Sequence, residues 1–599
     1  MNAIDAMAMI GRFDLVQYLH VNGSSATLNA LDYAPTLEIV QYLHHNRSEG
    51  CTTQAMDMAA GHCRMDIMEF LHNNCTEGCS TNAMEYAASD GHLDAVRFLH
   101  ERCSAPIDES TVLNAACLGR LDVLKYLFEN NLNTPANSQA IEWAAVSGHL
   151  NCVQYLQEAW SVPWPSTAML FAASSGFLEL VQYFNESMKD QYYDPSTMDH
   201  AATNGHLNVV EYLHHNRTEG CTYMALNNAA TYGHLEVVRF LHEHGLVMTG
   251  ADAAMDLAAS NGHLEVVRYL RENRTEGCTD KAFSSASSTH HLKVIEYLLT
   301  QYPNKVTTDA MDKAAQEGQL PVVSYLHSNS TVGCTTKAMD WAAKGGHLDV
   351  VQLLHRFRFE GCTKSALDTA CSTGNLELVK FLHYNRTEGC TQVALENACD
   401  VGHLPIIQFL VENRTECFLQ SAMERAVARG HITTVQYLLG LGRPGKAIVP
   451  SPAAIQRAIH NGRLTMIKYL LKHTSIDVAC HSPSWDLSKV AGQGHFAMLQ
   501  YLSEVLPADE IGRMIGCAAD SGKLSIVQFI HNNFKNAYCN QDAMDMAATY
   551  GHLSVVQFLH QNRTEGCTTK ALRNAKTYQK KNVVQFLQKY RTEGDGSDS

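Results

Sequence analysis

Apolar positions along this chain recur with a helical period, and the helical stretches themselves recur. In LDAVRFLH (93–100), Leu93, Val96 and Leu99 share one face, with Ala95 and Phe98 beside them. That stripe is wider than a lone surface helix needs and predicts a helix packed between two neighbours. A second pattern, AMDxAA, precedes it, as in Ala55-Met56-Asp57-Met58-Ala59-Ala60. Met or Leu supplies a long apolar knob, and the paired alanines favour a helix and let another approach closely. A glycine follows, as at Gly91, Gly148, Gly205 and Gly346, where a left-handed turn ends the helix at little cost. The second helix closes near Asn, as in NRTEGC (216–221), read as Asn tolerating a left-handed cap.

The two-helix pattern repeats throughout. The apolar residue ahead of the final His slot falls at Leu71, Leu99, Leu127, Leu156, Phe184 and Leu213 and continues to Leu587, mostly in steps of 28 or 29 residues. Leu19 and Leu43 open with a step of 24, and steps of 32 lead to Leu470 and Leu502. This predicts an all-α solenoid of about twenty-one helix-turn-helix units. Helices of about 8–10 residues are marginal alone, so stacking must stabilise them. The array is expected to run continuously over 1–590, with longer loops around 440–485 and a disordered tail at 591–599.

The paired alanines, the Gly-His-Leu and the LxVVQFL that follow resemble the ankyrin repeat family. AAVSGHLNCVQYL (144–156), AASNGHLEVVRYL (258–270) and AAKGGHLDVVQLL (342–354) carry the resemblance. It implies a protein-binding array whose variable slots face a concave groove. Two departures qualify it. The family's Thr-Pro-Leu-His opening is here Ala-Met-Asp or Ala-Met-Glu, so the hydroxyl–imidazole contact it implies is missing. The unit is also about five residues shorter than the family's 33, which predicts short loops and little or no β-hairpin. Only around 440–453 and 472–485 is there room for longer fingers.

Charge and composition narrow the function. The 599 residues carry a net charge of −16, which disfavours nucleic acid as a partner. No apolar run is long enough to span a membrane, and the first residues lack a secretory-type head and cleavage site. The chain is expected to be intracellular, in the cytoplasm, and monomeric, and the Asn-x-Ser/Thr motifs at Asn46, Asn216, Asn273, Asn385, Asn413 and Asn562 read as repeat residues. At the last unit, Lys576 and Lys581 stand where Ala and Leu are usual and read as a cap. Met7, Met9 and Ile10 leave the first unit apolar, as though a preceding segment or a partner covers it.

Candidate chemistry mostly reduces to the repeat. Cys51, Cys79, Cys221, Cys278, Cys334, Cys362, Cys390 and Cys567 share one loop slot. Stacked helices about 8–10 Å apart keep such thiols beyond disulfide reach, so they read as small semi-buried residues. His62, Cys63, His72, Cys75 and Cys79 are dense enough to consider zinc, but Cys63 and His72 belong to repeat slots. Of 31 histidines, eleven fill the slot after the residue that ends the first helix and eleven the slot after Leu99 and its equivalents, so none stands out as catalytic. Asp57, Asp256, Asp312, Asp340, Asp368 and Asp545 recur near the start of the first helix, where the dipole favours an acid; the alternative is an acidic ladder for a basic peptide. No nucleophile, phosphate-loop or dinucleotide motif occurs. Neither an enzyme nor a metal or cofactor is expected.

The binding positions are expected between the alanine pair and the glycine, where copies differ while the frame does not. They are Ser89 and Asp90, Val146 and Ser147, Ser174 and Ser175, Thr203 and Asn204, Thr231 and Tyr232, Ser260 and Asn261, Gln316 and Glu317, Lys344 before Gly345, and Thr549 and Tyr550. The slot inside AMDxAA also varies, with Tyr86, Trp143, Phe171 and Trp341 among its occupants. At about 10 Å per unit the array would reach roughly 200 Å. The resulting expectation is a non-catalytic scaffold or adaptor for an unknown protein partner. The alternative is the recognition arm of a larger regulatory protein, such as a ubiquitin-ligase adaptor or signalling protein, whose effector lies outside this chain.

Overall fold

A computed structural model describes residues 2–132, 138–188, 193–246, 253–416, 418–441, 448–473, 487–534 and 539–590. Among these, twenty-one helix pairs follow one another and no strand occurs. They fall into two compact units, Met1–Val306 and Thr307–Ser599, with eleven pairs in the first and ten in the second. The central parts of the two long loops, 442–447 and 474–486, and the tail 591–599 lie outside the described residues.

Two repeats have an altered first helix. The step of 24 reflects a first helix cut to Asn29–Asp32. In the repeat that ends near Asn533, the first helix is split into Ala508–Gly512 and Ile515–Asp520.

Within each unit the first helices stack on one another more densely than the second helices do. The alanine pairs make this possible. Ala87, Ala88, Ala144, Ala145, Ala342 and Ala343 have no exposed surface, and the knobs Met84 and Met339 are buried beside them. Val209, Val210 and Leu213 line the buried side of a second helix.

Four side-chain devices fix one repeat on the next. The first joins the Gly slot to the His slot. Gly402 ends the helix Gln392–Val401 with φ +82°, and the His431 ring of the next repeat lies across it. His431 Nε2 donates to the Asp400 carbonyl at 3.0 Å. His263 reaches the Thr231 carbonyl at 2.9 Å in the same way, and His206 that of Ser174 at 3.1 Å.

The second device is a carboxylate clamp. Asp312 accepts the Thr335 N–H at 2.8 Å and its hydroxyl at 2.6 Å. Thr335 is the N-cap of the next first helix, and its oxygen in turn accepts from Lys337 N. The same pairing joins Asp57 to Ser80, Asp199 to Thr222, Asp256 to Thr279, Asp340 to Thr363, Asp368 to Thr391 and Asp545 to Thr568. This overturns the acidic-ladder alternative. All but the half-buried Asp256 are buried, and their oxygens are spent on the next repeat. The clamp supplies a hydroxyl–carboxylate contact in a chain that lacks the family's hydroxyl–imidazole one. Burial raises the carboxyl pKa of Asp199 and Asp312 despite these hydrogen bonds.

The third device uses the other histidine slot. His355, His383 and His560 meet Phe381, Phe409 and Phe586 of the following second helix edge-on, with centroids 5.4, 5.1 and 5.5 Å apart. The fourth lies in the NRTEGC loop. Arg358 pairs with Glu360 at 2.7 Å, and Glu360 accepts the Cys334 N–H of the preceding loop at 3.0 Å.

The asparagine that closes the second helix works differently from the left-handed cap expected. Asn216 is still helical and is followed by extended Arg217, with φ −132°. Its Nδ2 donates to the Tyr212 carbonyl at 2.8 Å. Asn273, Asn385 and Asn562 do the same four residues back. A side-chain donor thus covers a carbonyl of the last turn, and no positive φ is needed.

Candidate functional site

The paired variable positions at the end of the first helix separate into two kinds. The first of each pair belongs largely to the framework. Ser89, Thr203, Thr231 and Thr549 turn their hydroxyls back onto carbonyls of their own helix, at 2.7, 2.6, 2.7 and 2.7 Å. The Ser174 and Thr231 carbonyls carry the histidine bridges, and the Ser89 carbonyl accepts from Arg120 at 2.8 Å. The Ser260 carbonyl accepts from Thr289. Val146 and Gln316 are half-buried, and Thr549 is buried. Such positions have little freedom to meet a partner.

The second of each pair faces solvent in most copies. Asp90, Asn204, Tyr232, Asn261, Glu317 and Tyr550 are exposed, whereas Ser147 and Ser175 are half-buried. Lys344 is exposed although it holds the first place of its pair. Tyr232 and Tyr550 are 61% and 54% exposed, and each leaves a large aromatic surface in solvent although its ring also lies beside His234 or His552 of its own repeat. The helix-interior slot adds Tyr86 and Trp143, also exposed, while Phe171 is half-buried and Trp341 lies under the ammonium groups of Lys313 and Lys337.

The remaining candidates sort by burial. The loop thiols form no disulfide among the described residues, and most are buried. Burial pushes the Cys221, Cys334 and Cys362 thiols up to about 12, which leaves them protonated and unreactive. The five residues considered for zinc do not converge. The His62 ring bonds the Met58 carbonyl of its own helix, and Cys63 occupies a left-handed turn. The donors that do approach one another among the described residues are Cys51, Cys75 and Glu77. Sequence reasoning missed this set because its members come from successive loops. At the ends, Lys576 and Lys581 are exposed, as are Met9 and Ile10. No described helix is long and apolar enough to cross a membrane.

Comparison with known proteins agrees with the repeat unit. No curated protein matches the chain. Among solved structures, the pentatricopeptide repeat protein PPR10 from maize is 10% identical over 99% of this chain and 93% of its own, with a TM-score of 0.26. The same protein in complex with an 18-nt psaJ RNA element is 11% identical over 98% and 94%, with a TM-score of 0.28. These scores are too low to argue a shared arrangement. A family model described as ankyrin repeats (3 copies) matches residues 4–138, 84–162, 141–223, 200–282, 226–312, 311–392 and 367–448. Matched over most of its length by that model, and built of stacked pairs with alanine-lined first helices, the chain belongs to the ankyrin repeat family.

Proposed function

We propose that the chain is a non-catalytic scaffold that holds a partner protein on the exposed ends of its first helices. The observation that carries this reading is the split just described. The recurring residues are spent on repeat-to-repeat contacts, while Asp90, Asn204, Tyr232, Asn261, Glu317 and Tyr550 vary and face solvent. Exposed tyrosines suit a protein interface, since they bring large contact area at small entropic cost. The net charge of −16 favours a partner with a basic patch over a nucleic acid.

The test is crosslinking capture in native cells with the full chain as bait. The matched control carries alanine at Asp90, Tyr232, Asn261, Glu317 and Tyr550 and keeps Asn204, whose Nδ2 also donates to the Ser174 carbonyl of the preceding repeat at 2.9 Å. The reading expects specific proteins captured by the parent chain and lost with the control. Capture of nucleic acid or lipid without protein would refute it, as would identical capture by both chains.

A further inference from the structure

Among the described residues, in seven loops a Glu is neutralised by an Arg two residues before it. The pairs are Arg47–Glu49, Arg217–Glu219, Arg274–Glu276, Arg358–Glu360, Arg386–Glu388, Arg414–Glu416 and Arg563–Glu565. The guanidinium does more than pair with its own Glu. Arg386 Nη1 reaches His355 Nδ1 of the preceding second helix at 3.5 Å, and the Arg386 charge also acts on the Cys362 thiol of the preceding loop. A cation therefore sits among one imidazole, one thiol and one carboxylate.

The loop NNCTEGC (73–79) departs from this arrangement at one position. Cys75 replaces the Arg, while the other three groups stay as His44, Cys51 and Glu77. Among the described residues no ion pair accompanies Glu77; its carboxylate accepts the Thr76 N–H at 2.9 Å and faces the Cys51 thiol at 3.8 Å. Cys75 Sγ lies 3.8 Å from His44 Nδ1. One ligand atom each from Cys51, Cys75 and Glu77 falls within 4.8 Å of the others. They line a cleft of about 210 Å³. The cation has gone, its anionic and imidazole partners remain, and a second thiol stands in its place.

We propose that Cys51, Cys75, Glu77 and His44 bind one zinc-like divalent metal ion, which takes the place of the missing guanidinium. Two thiolates, an imidazole and a carboxylate are a donor set for zinc or its substitute cobalt, and four ligands complete a tetrahedron. Bonds of about 2.3 Å to sulfur set tetrahedral ligands roughly 3.8 Å apart, the separation at which Cys51 already faces Glu77 and Cys75 faces His44. Burial, the Cys75 thiol and the carboxylates of Glu77 and Asp32 all resist ionisation of Cys51. A divalent cation reverses that balance, and two protons leave as two thiolates bind it. One repeat further on, Cys103 Sγ lies 3.6 Å from His72 Nδ1. There Ala105 holds the Glu position, so that copy lacks the charge and serves as an internal comparison.

The test is titration of the reduced, metal-free full chain with Co2+, read by thiolate-to-cobalt charge-transfer absorption. One ion per chain is expected, displaced by Zn2+. Cys75→Arg, which restores the sister loops' residue and is expected to keep the fold, should abolish the band; Cys51→Ala should do the same. Glu77→Gln should weaken binding by about tenfold or more, and Cys103→Ala should leave it unchanged. The proposal fails if the parent chain gives no charge-transfer band. It also fails if the band survives in both Cys75→Arg and Cys51→Ala, or if Cys103→Ala removes it.

Discussion

Replacing Gly402 by Ala tests the idea that glycine and histidine of successive repeats form one joint. Gly402 has φ +82°, and an L side chain in that region costs about 1–2 kcal/mol. The added Cβ would also lie 2.5 Å from His431 Nδ1, so the ring must move. Moving it breaks the 3.0 Å bond from His431 to the Asp400 carbonyl, worth about 0.5–1.5 kcal/mol net and more if the carbonyl is left unpaired. The expected total is about 2–4 kcal/mol. Gly389, in the loop that leads into the same first helix, is the matched control. It has φ +77°, and its Cβ would meet nothing closer than 3.6 Å. Gly389→Ala should therefore cost only the backbone part, about 1–2 kcal/mol. Native-state hydrogen exchange over Gln392–Val401 and Leu419–Arg429 reads the local opening free energy, which suits an array whose repeats contact only neighbours. In a His431→Ala background the two glycine substitutions should cost the same. Equal costs in the parent chain, or a difference that persists without the ring, would refute the joint.

Three further outcomes follow from the other contacts. Asp312→Ala removes both acceptors of Thr335 and should cost about 2–3 kcal/mol, with Asp312→Asn costing less because one acceptor oxygen remains; urea denaturation checks both. Burial raises the Asp312 carboxyl pKa, so its contribution is full below the ordinary carboxylate range and falls as pH rises through the raised value; Asp312→Asn should remove that component from the pH profile. Glu388 has the opposite sign. Burial opposes its ionisation, but Arg386 and the backbone N–H groups of Glu388 and Cys362 outweigh burial and hold it at about 2. The loop should therefore lose stability as pH falls from about 4.5 towards 2, and Glu388→Gln should flatten that loss in hydrogen exchange. Cys334 and Cys362, pushed up to about 12, should alkylate with iodoacetamide far more slowly in the folded chain than in urea; equal rates by mass spectrometry would contradict their burial.

The apolar stripe, the alanine pairs and the glycine rhythm determined the element types, their number and their stacking. They act locally or between adjacent repeats, so one unit's pattern contains the information. The knob residues and alanines such as Met84, Ala87 and Ala88 are buried because the period puts them on one face. The sequence also marked where variation concentrates, at pairs such as Thr231 and Tyr232.

Only the tertiary structure decided which member of each pair is free. Thr231 and Tyr232 look equally variable in the sequence. The next repeat half-buries the first, whose carbonyl takes the His263 ring, and leaves the second in solvent. The partner of each Asp was equally hidden. Asp312 and Thr335 are 23 residues apart, one in a helix and the other at the N-cap of the next. A helix-dipole argument sees only the first residue's own helix. The gathering of Cys51 with Cys75 and Glu77 depends in the same way on how one loop lies on the next. Patterning along a helix is a property of the chain. Contacts between loops are a property of the stack, and they appear only when one repeat is placed against another.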